Sequence, residues 1–139
     1  MVIVIPGEPV GKGRPRFSTR GGYARAYTPK KTADYEDQIL TAYMLQCKGE
    51  RYEKGTYLSV SIKAYFGIPK SARKADKEQM RLGKIRPAKK PDIDNVMKIC
   101  CDALNGAAFD DDCQFTAGCI KKRYSDEPRI EISIEEDTE

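Results

Sequence analysis

Residues 89–115 read KKPDIDNVMKICCDALNGAAFDDDCQF, an apolar-striped helix held between two acidic clusters. Asp94 is a helix-capping residue type, and Asn105-Gly106 supplies the backbone freedom that ends a helix. Between them Val96, Ile99, Cys100, Ala103 and Leu104 form one apolar stripe, which must pack against another surface. Two strands are expected next, around 115–123 and 129–135. In the second, Ile130, Ile132 and Ile134 alternate with polar or charged residues, as a half-buried strand does. Upstream, YLSVSIKAYF (57–66) alternates most cleanly of all. Leu58, Val60, Ile62, Ala64 and Phe66 point one way, and Ser59, Ser61 and Lys63 the other.

Farther out the pattern continues. Residues 2–5 form an apolar strand candidate closed by Pro6-Gly7. Thr28-Pro29 predicts a helix with Thr28 as cap and Pro29 in its first turn. Tyr35, Ile39 and Tyr43 recur at four-residue steps, and the helix should end near Gly49. Residues 71–82 predict a short, exposed, basic helix with Ser71 as cap and Gly83 as stop. The expected order is strand, basic loop, helix, strand, helix, helix, strand, strand. That is an α/β sheet of about four strands packed with helices, one domain over residues 1–139. Strand directions are open at this point.

Charge is segregated along the chain. The 139 residues carry 25 Lys and Arg against 21 Asp and Glu, for a net +4. Residues 1–31 hold seven basic and one acidic side chain, and residues 67–91 nine and two. Residues 92–139 reverse the sign, with five basic and thirteen acidic. Two basic blocks are natural surfaces for a polyanion; the plainer alternative is two solvated, mobile loops.

Several classes are excluded. No apolar run approaches the ~20 residues of a membrane helix. The start, MVIVIP, lacks the basic leader and long apolar stretch of a secretion signal, so it reads as a strand. The five cysteines form no C-x-x-C pair, and reduced thiols in a cytoplasm are expected. Cys100 and Cys101 are expected to be small apolar core residues. No histidine is present, which removes histidine bases and most zinc sites.

Chemistry must then use the acids. Asp92 and Asp94 flank Ile93 just before the helix, and in an extended segment residues i and i+2 face the same side. Asp110, Asp111 and Asp112 follow 16 or more residues later. A helix of about ten residues is only ~15 Å long, so a loop can bring the clusters together. Mg²⁺ is bound by one or two carboxylates with water and phosphate oxygens. Bare carboxylates beside a polyanion would repel it, unless a metal reverses the local sign. Lys98 lies one helical turn after Asp94, where its ammonium can meet transition-state charge. Asn95 can steady a carboxylate or reach a phosphate. The plainer roles are a helix cap for Asp94, a solvated turn for Asp110 to Asp112, and an i,i+4 ion pair for Lys98.

The basic loop, residues 7–31, contains GKGRPRF (11–17) followed by Arg20, Tyr23, Arg25 and Tyr27. Its glycines and prolines argue against a regular element over most of the span. Lys12, Arg14, Arg16, Arg20 and Arg25 offer charges for phosphates, and the rings offer stacking on unpaired bases. No G-x-x-x-x-G-K-[ST] loop is present, so the glycines serve flexibility and close approach. A second basic stretch, residues 67–91, runs through Lys89 and Lys90 into Asp92.

Together these residues resemble the RusA family of Holliday-junction resolvases, found in phages and prophages. The most specific part is a D-x-D-N-x-x-K-x-x-x-D-x-L core followed by a D-D-x-Q run, matched by Asp92, Asp94, Asn95, Lys98, Asp102 and Leu104, then Asp111, Asp112 and Gln114. The opening strand, GKGRPRF, the YTP at Tyr27 and the helix around Tyr35 extend the likeness over most of the chain. The resemblance implies a homodimer of small α/β domains with a mixed sheet. It implies paired, Mg²⁺-dependent cuts across four-way DNA junctions, with Mn²⁺ able to substitute, and no organic cofactor. It gives Asp92, Asp94 and Asp112 as metal ligands, with Asp111 as the alternative third, and Lys98 as the catalytic lysine. Lys12, Arg14, Arg16, Arg20, Arg25, Lys89, Lys90 and Asn95 would contact DNA. The implied setting is the cytoplasm of a bacterial cell, away from membranes. The competing expectations are a non-catalytic nucleic-acid-binding module and a nuclease for flaps, forks or other branches.

Overall fold

The alternation in residues 57–66 becomes an inner strand of the sheet. The computed structural model describes all of residues 1–139. Its elements are β1 (Val2–Pro6), β2 (Arg16–Ser18), β3 (Arg25–Tyr27), α1 (Lys30–Cys47), β4 (Leu58–Gly67), α2 (Lys74–Arg81), α3 (Ile93–Leu104), β5 (Phe115–Ser125) and β6 (Arg129–Glu136), with a 3-10 turn over Asp112–Gln114. Four strands form one sheet in the order β1-β6-β4-β5. β6 runs antiparallel to both β1 and β4, whereas β5 runs parallel to β4. The expected α/β domain with a mixed sheet is therefore present. A parallel pair needs a long crossover, and here α2 and α3 fill it. Asp126, Glu127 and Pro128 alone separate β5 from β6, yet β4 lies between them.

One face of the sheet makes the core. Leu58, Val60, Ile62, Ala64 and Phe66 of β4 are buried together with Ile130, Ile132 and Ile134 of β6 and Ile3 and Ile5 of β1. Tyr35, Ile39 and Tyr43 of α1 and Val96, Ile99, Cys100 and Leu104 of α3 join the same cluster. Each fully buried large aliphatic side chain contributes roughly 1.5–3 kcal/mol relative to exposure. Phe109, fully buried, meets Phe115 edge-on at 4.8 Å between ring centroids. That contact closes the core beneath the second acidic cluster. No helix is long and apolar enough to cross a membrane.

Helix starts differ from the capping expectations. α1 begins at Lys30 with Pro29, not Thr28, in the cap position and no side-chain cap bond. Pro29 is itself extended, at φ −55° and ψ 143°, so the helix starts one residue later than expected and Thr28 lies outside it. α2 begins at Lys74 rather than Ser71, because Ala72 N–H donates to the Pro69 carbonyl in a preceding turn. α3 begins at Ile93, so Asp92 occupies the cap position and Asp94 lies in the first turn. The basic loop is also more ordered than its composition predicts. Arg16, Phe17 and Ser18 pair with Tyr27, Ala26 and Arg25 in a small antiparallel hairpin.

Candidate active site and nucleic-acid interface

α3 organises both halves of the site. Asp94, Lys98, Cys101 and Asp102 recur at helical spacing and line one cleft of about 580 Å³, opposite Asp112, Phe115 and Thr116. Three carboxylates and one ammonium thus share a small space. Asp112 arrives there because Gln114 anchors its turn. The buried Gln114 amide accepts from the N–H groups of Asp110 and Asp111 at 3.0 and 3.1 Å. It donates to the carbonyls of Glu53 and Thr56 at 3.1 and 3.0 Å. All its bonding capacity goes into tying the acidic turn to the segment before β4.

The neighbouring acids divide their roles. Asp111 caps the 3-10 turn, its carboxylate accepting from the Cys113 N–H at 3.1 Å. That backbone bond, then the Asp112 side chain, hold its pKa below the usual carboxylate value. Asp112 is pushed the other way, by desolvation first and then by the charges of Asp111 and Asp102. Asp112, not Asp111, is the residue that lines the cleft. Cys101 also faces the cleft, while Cys100 is in the core; the expectation of two core cysteines holds for one of them. Desolvation, then Asp112 and Asp102, push the Cys101 thiol up to about 12, so at neutral pH it is not a nucleophile.

Asp92 is not in this cleft. It lines a second cavity, of about 600 Å³, with Asn95, Lys90, Arg14, Arg16 and Lys31. The same-side presentation expected for Asp92 and Asp94 requires an extended chain. With the helix starting at Ile93, each residue turns the direction by about 100°, so the two carboxylates diverge. No group of three or more His, Cys, Asp or Glu side chains stands close enough to cage a metal. Asp94 and Asp112 still fit the sparser demand of Mg²⁺, which keeps water and phosphate oxygens among its ligands.

The basic loop reaches α3 through close packing. A Cβ on Gly11 would lie 2.7 Å from Pro91 Cβ, and one on Gly13 2.7 Å from Thr32 Oγ1. Glycine is what allows this approach. Lys12 N–H donates to the Asn95 carbonyl at 2.9 Å, and Gly13 N–H to Thr32 Oγ1 at 3.0 Å. The Lys12 ammonium turns inward, 2.6 Å from Glu36 and 3.2 Å from Asp102. Of the basic residues expected at DNA, Lys12 is therefore already partnered within the fold. Lys89 is held too: its ammonium lies 5.7 Å from the Phe66 ring centre and 5.8 Å from that of Tyr124, and its carbonyl accepts from Lys122. Arg14, Arg16 and Lys90 are exposed at the cavity, and Arg20 and Arg25 on the hairpin. Asp102 and Gln114 were legible only as motif letters. The spacing of Asp102, eight residues after Asp94, was the signal for its place in the cleft.

A family profile described as Endodeoxyribonuclease RusA matches residues 6–135. The chain is also 39% identical, over 136 residues, to Uncharacterized protein YqaN of Bacillus subtilis (strain 168), covering 96% of this chain and 94% of that protein. A profile match of this extent takes in the hairpin, the three helices, the acidic turn and most of the sheet, and the chain belongs to the RusA endodeoxyribonuclease family.

Proposed function

We propose that this protein is a Mg²⁺-dependent endonuclease that resolves four-way DNA junctions by paired phosphodiester hydrolysis, acting as a homodimer. The observation that carries the reading is an acidic cleft and a basic cavity on two sides of the same helix start. The cavity suits the backbone of a DNA strand, and the cleft beside it suits the phosphate to be cut. Two copies would present two cutting centres to two strands, as paired nicking requires.

Asp94 and Asp112 are the residues that would hold Mg²⁺, or Mn²⁺ in its place; Asp92, which lines the neighbouring cavity, would join them as a third carboxylate only by turning toward the cleft when DNA and metal bind. A bound divalent metal supplies an activated water and stabilises the leaving oxygen. The chain's own residues do the rest. Lys98 forms no ion pair in the fold, so its ammonium is free to stabilise charge developing on the phosphate. Lys12 neutralises Asp102 at the far end of the cleft, which limits repulsion of the incoming strand. Arg14, Arg16 and Lys90 hold the flanking backbone, and Asn95 lies where it can reach the same phosphates.

A labelled four-way junction incubated with Mg²⁺, with and without EDTA, tests the reading. Paired, chelator-sensitive nicks are expected. A mobility shift without product would overturn it in favour of a binding module. Faster cutting of flaps or forks would keep the nuclease and change its substrate.

A further inference from the structure

The hairpin of β2 and β3 carries an aromatic residue that folding does not use. Phe17 is 75% exposed, and Tyr23, near the turn, is 70% exposed. Residues opposite one another in an antiparallel pair share a face, and neighbours along a strand alternate. Arg16 pairs with Tyr27, Phe17 with Ala26 and Ser18 with Arg25. One face of the ribbon therefore presents Arg16, Arg25, Ser18 and Tyr27. The other presents Phe17 with Ala26. Arg16 also lines the basic cavity, so the cationic face is continuous with the proposed backbone track and Phe17 projects from the reverse side.

The surroundings of Phe17 identify its partner. No acidic residue occurs between Glu8 and Asp34, whereas seven basic ones do. A single ring with only alanine beside it, on a ribbon whose other face is cationic, is a poor apolar patch for a protein surface. It suits a flat apolar face within a polyanion, which is an unstacked base. Base faces are covered inside a duplex, and a branch point is where that run of stacking can be interrupted and a face exposed. Resting on the endonuclease reading above, we infer that the hairpin enters the branch point of the DNA, where Phe17 stacks on an unstacked base while Arg16 and Arg25 hold the backbone of the adjoining strand.

The test compares the full-length wild type with Phe17→Ala, Phe17→Leu and Phe17→Trp. Substrates are a four-way junction carrying 2-aminopurine at the branch point and a linear duplex of the same length. Affinity and fluorescence are read in EDTA and in the first seconds after Mg²⁺ addition, followed by cleavage rate. Phe17→Ala should lower junction affinity or cleavage about tenfold, in line with the loss of one base–aromatic stack, and abolish the branch-point fluorescence change. Linear-duplex binding and melting temperature should be unchanged, because Phe17 is exposed. Phe17→Trp should restore the signal, and Phe17→Leu, apolar but not flat, should not. Wild-type behaviour of Phe17→Ala on the junction overturns the inference alone. So does an equal loss on linear duplex, or a shift of Phe17→Ala to monomer in sedimentation, which would assign the ring to contact between copies. A wild type with neither preference for nor cleavage of the junction overturns the endonuclease reading and the inference with it.

Discussion

Replacing Lys12 by methionine keeps most of the side-chain volume and removes the cation from the centre of an ion cluster. Lys12 lies 2.6 Å from Glu36 and 3.2 Å from Asp102, and the three side chains are 18%, 23% and 29% exposed. Desolvation pulls the ammonium down, but hydrogen bonds and the charges of Glu36 and Asp102 outweigh it, so its pKa lies above 10.5. A raised folded pKa means the stabilisation is fully present below the unfolded value, near pH 10.5, and is lost as pH rises through the folded value. At neutral pH it is intact. Removing one partner of a fully buried pair costs about 3–5 kcal/mol, and an exposed pair is worth under about 1 kcal/mol. A cluster mostly but not wholly covered falls between, at about 2 kcal/mol. For a chain of this size that is a fall of roughly 6–8 °C in melting temperature. Urea and thermal unfolding at pH 7 measure it, and adding Glu36→Gln should recover part of the loss through a coupling above about 0.5 kcal/mol. The same variant has a second readout. Because Lys12 is partnered internally, its loss should leave the salt dependence of DNA binding unchanged, whereas Arg14→Gln should reduce the slope by about one. Stability within about 0.5 kcal/mol of wild type, or a slope reduced as much as by Arg14→Gln, would refute the reasoning.

Four other substitutions probe the site. Asp92→Asn and Asp94→Asn should each retain junction binding and abolish Mg²⁺-dependent cleavage; unchanged cleavage by Asp92→Asn would remove that residue from the ligand set and leave the Asp94–Asp112 pair. Gln114→Ala strands the N–H groups of Asp110 and Asp111 and two carbonyls, so it should cost about 2 kcal/mol in chemical denaturation and slow cleavage by displacing Asp112. Cleavage at the wild-type rate would show that the turn holds without it. Gly11→Ala places a methyl 2.7 Å from Pro91 Cβ and 3.1 Å from Asn95 Cβ. It should destabilise by about 1–3 kcal/mol and weaken DNA binding by moving the loop off α3, and a variant that melts and binds as wild type would contradict that packing.

Periodicity carried most of the element assignment. The two-residue alternation of β4 and β6 and the four-residue steps of α1 and α3 arise from backbone geometry alone, so they were readable locally. The helix starts were less so. Thr28, Ser71 and Asp94 are all good caps by type, yet Pro29, Arg73 and Asp92 hold the cap positions. Neighbouring prolines and turns decide among closely spaced candidates. The β2–β3 hairpin was illegible because its strands are short and lie in a segment rich in glycine and proline.

What the sequence determined by itself was the inventory: an α/β chain, two basic blocks, and the acids and lysine of the 89–115 motif. These follow from composition, local period and order, which no distant contact alters. The tertiary structure alone decided how that inventory is divided. It placed β4 between β5 and β6, sent Asp92 to the basic cavity and Asp94 to the cleft, and lined that cleft with Asp112 rather than Asp111. It also gave Lys12, expected at DNA, two partners within the fold, Glu36 and Asp102. Each of these depends on which side of a helix a residue faces and on what packs there from far along the chain. A shift of a single residue in a helix start rotates every side chain near it, and that start is set by packing as much as by the letters themselves.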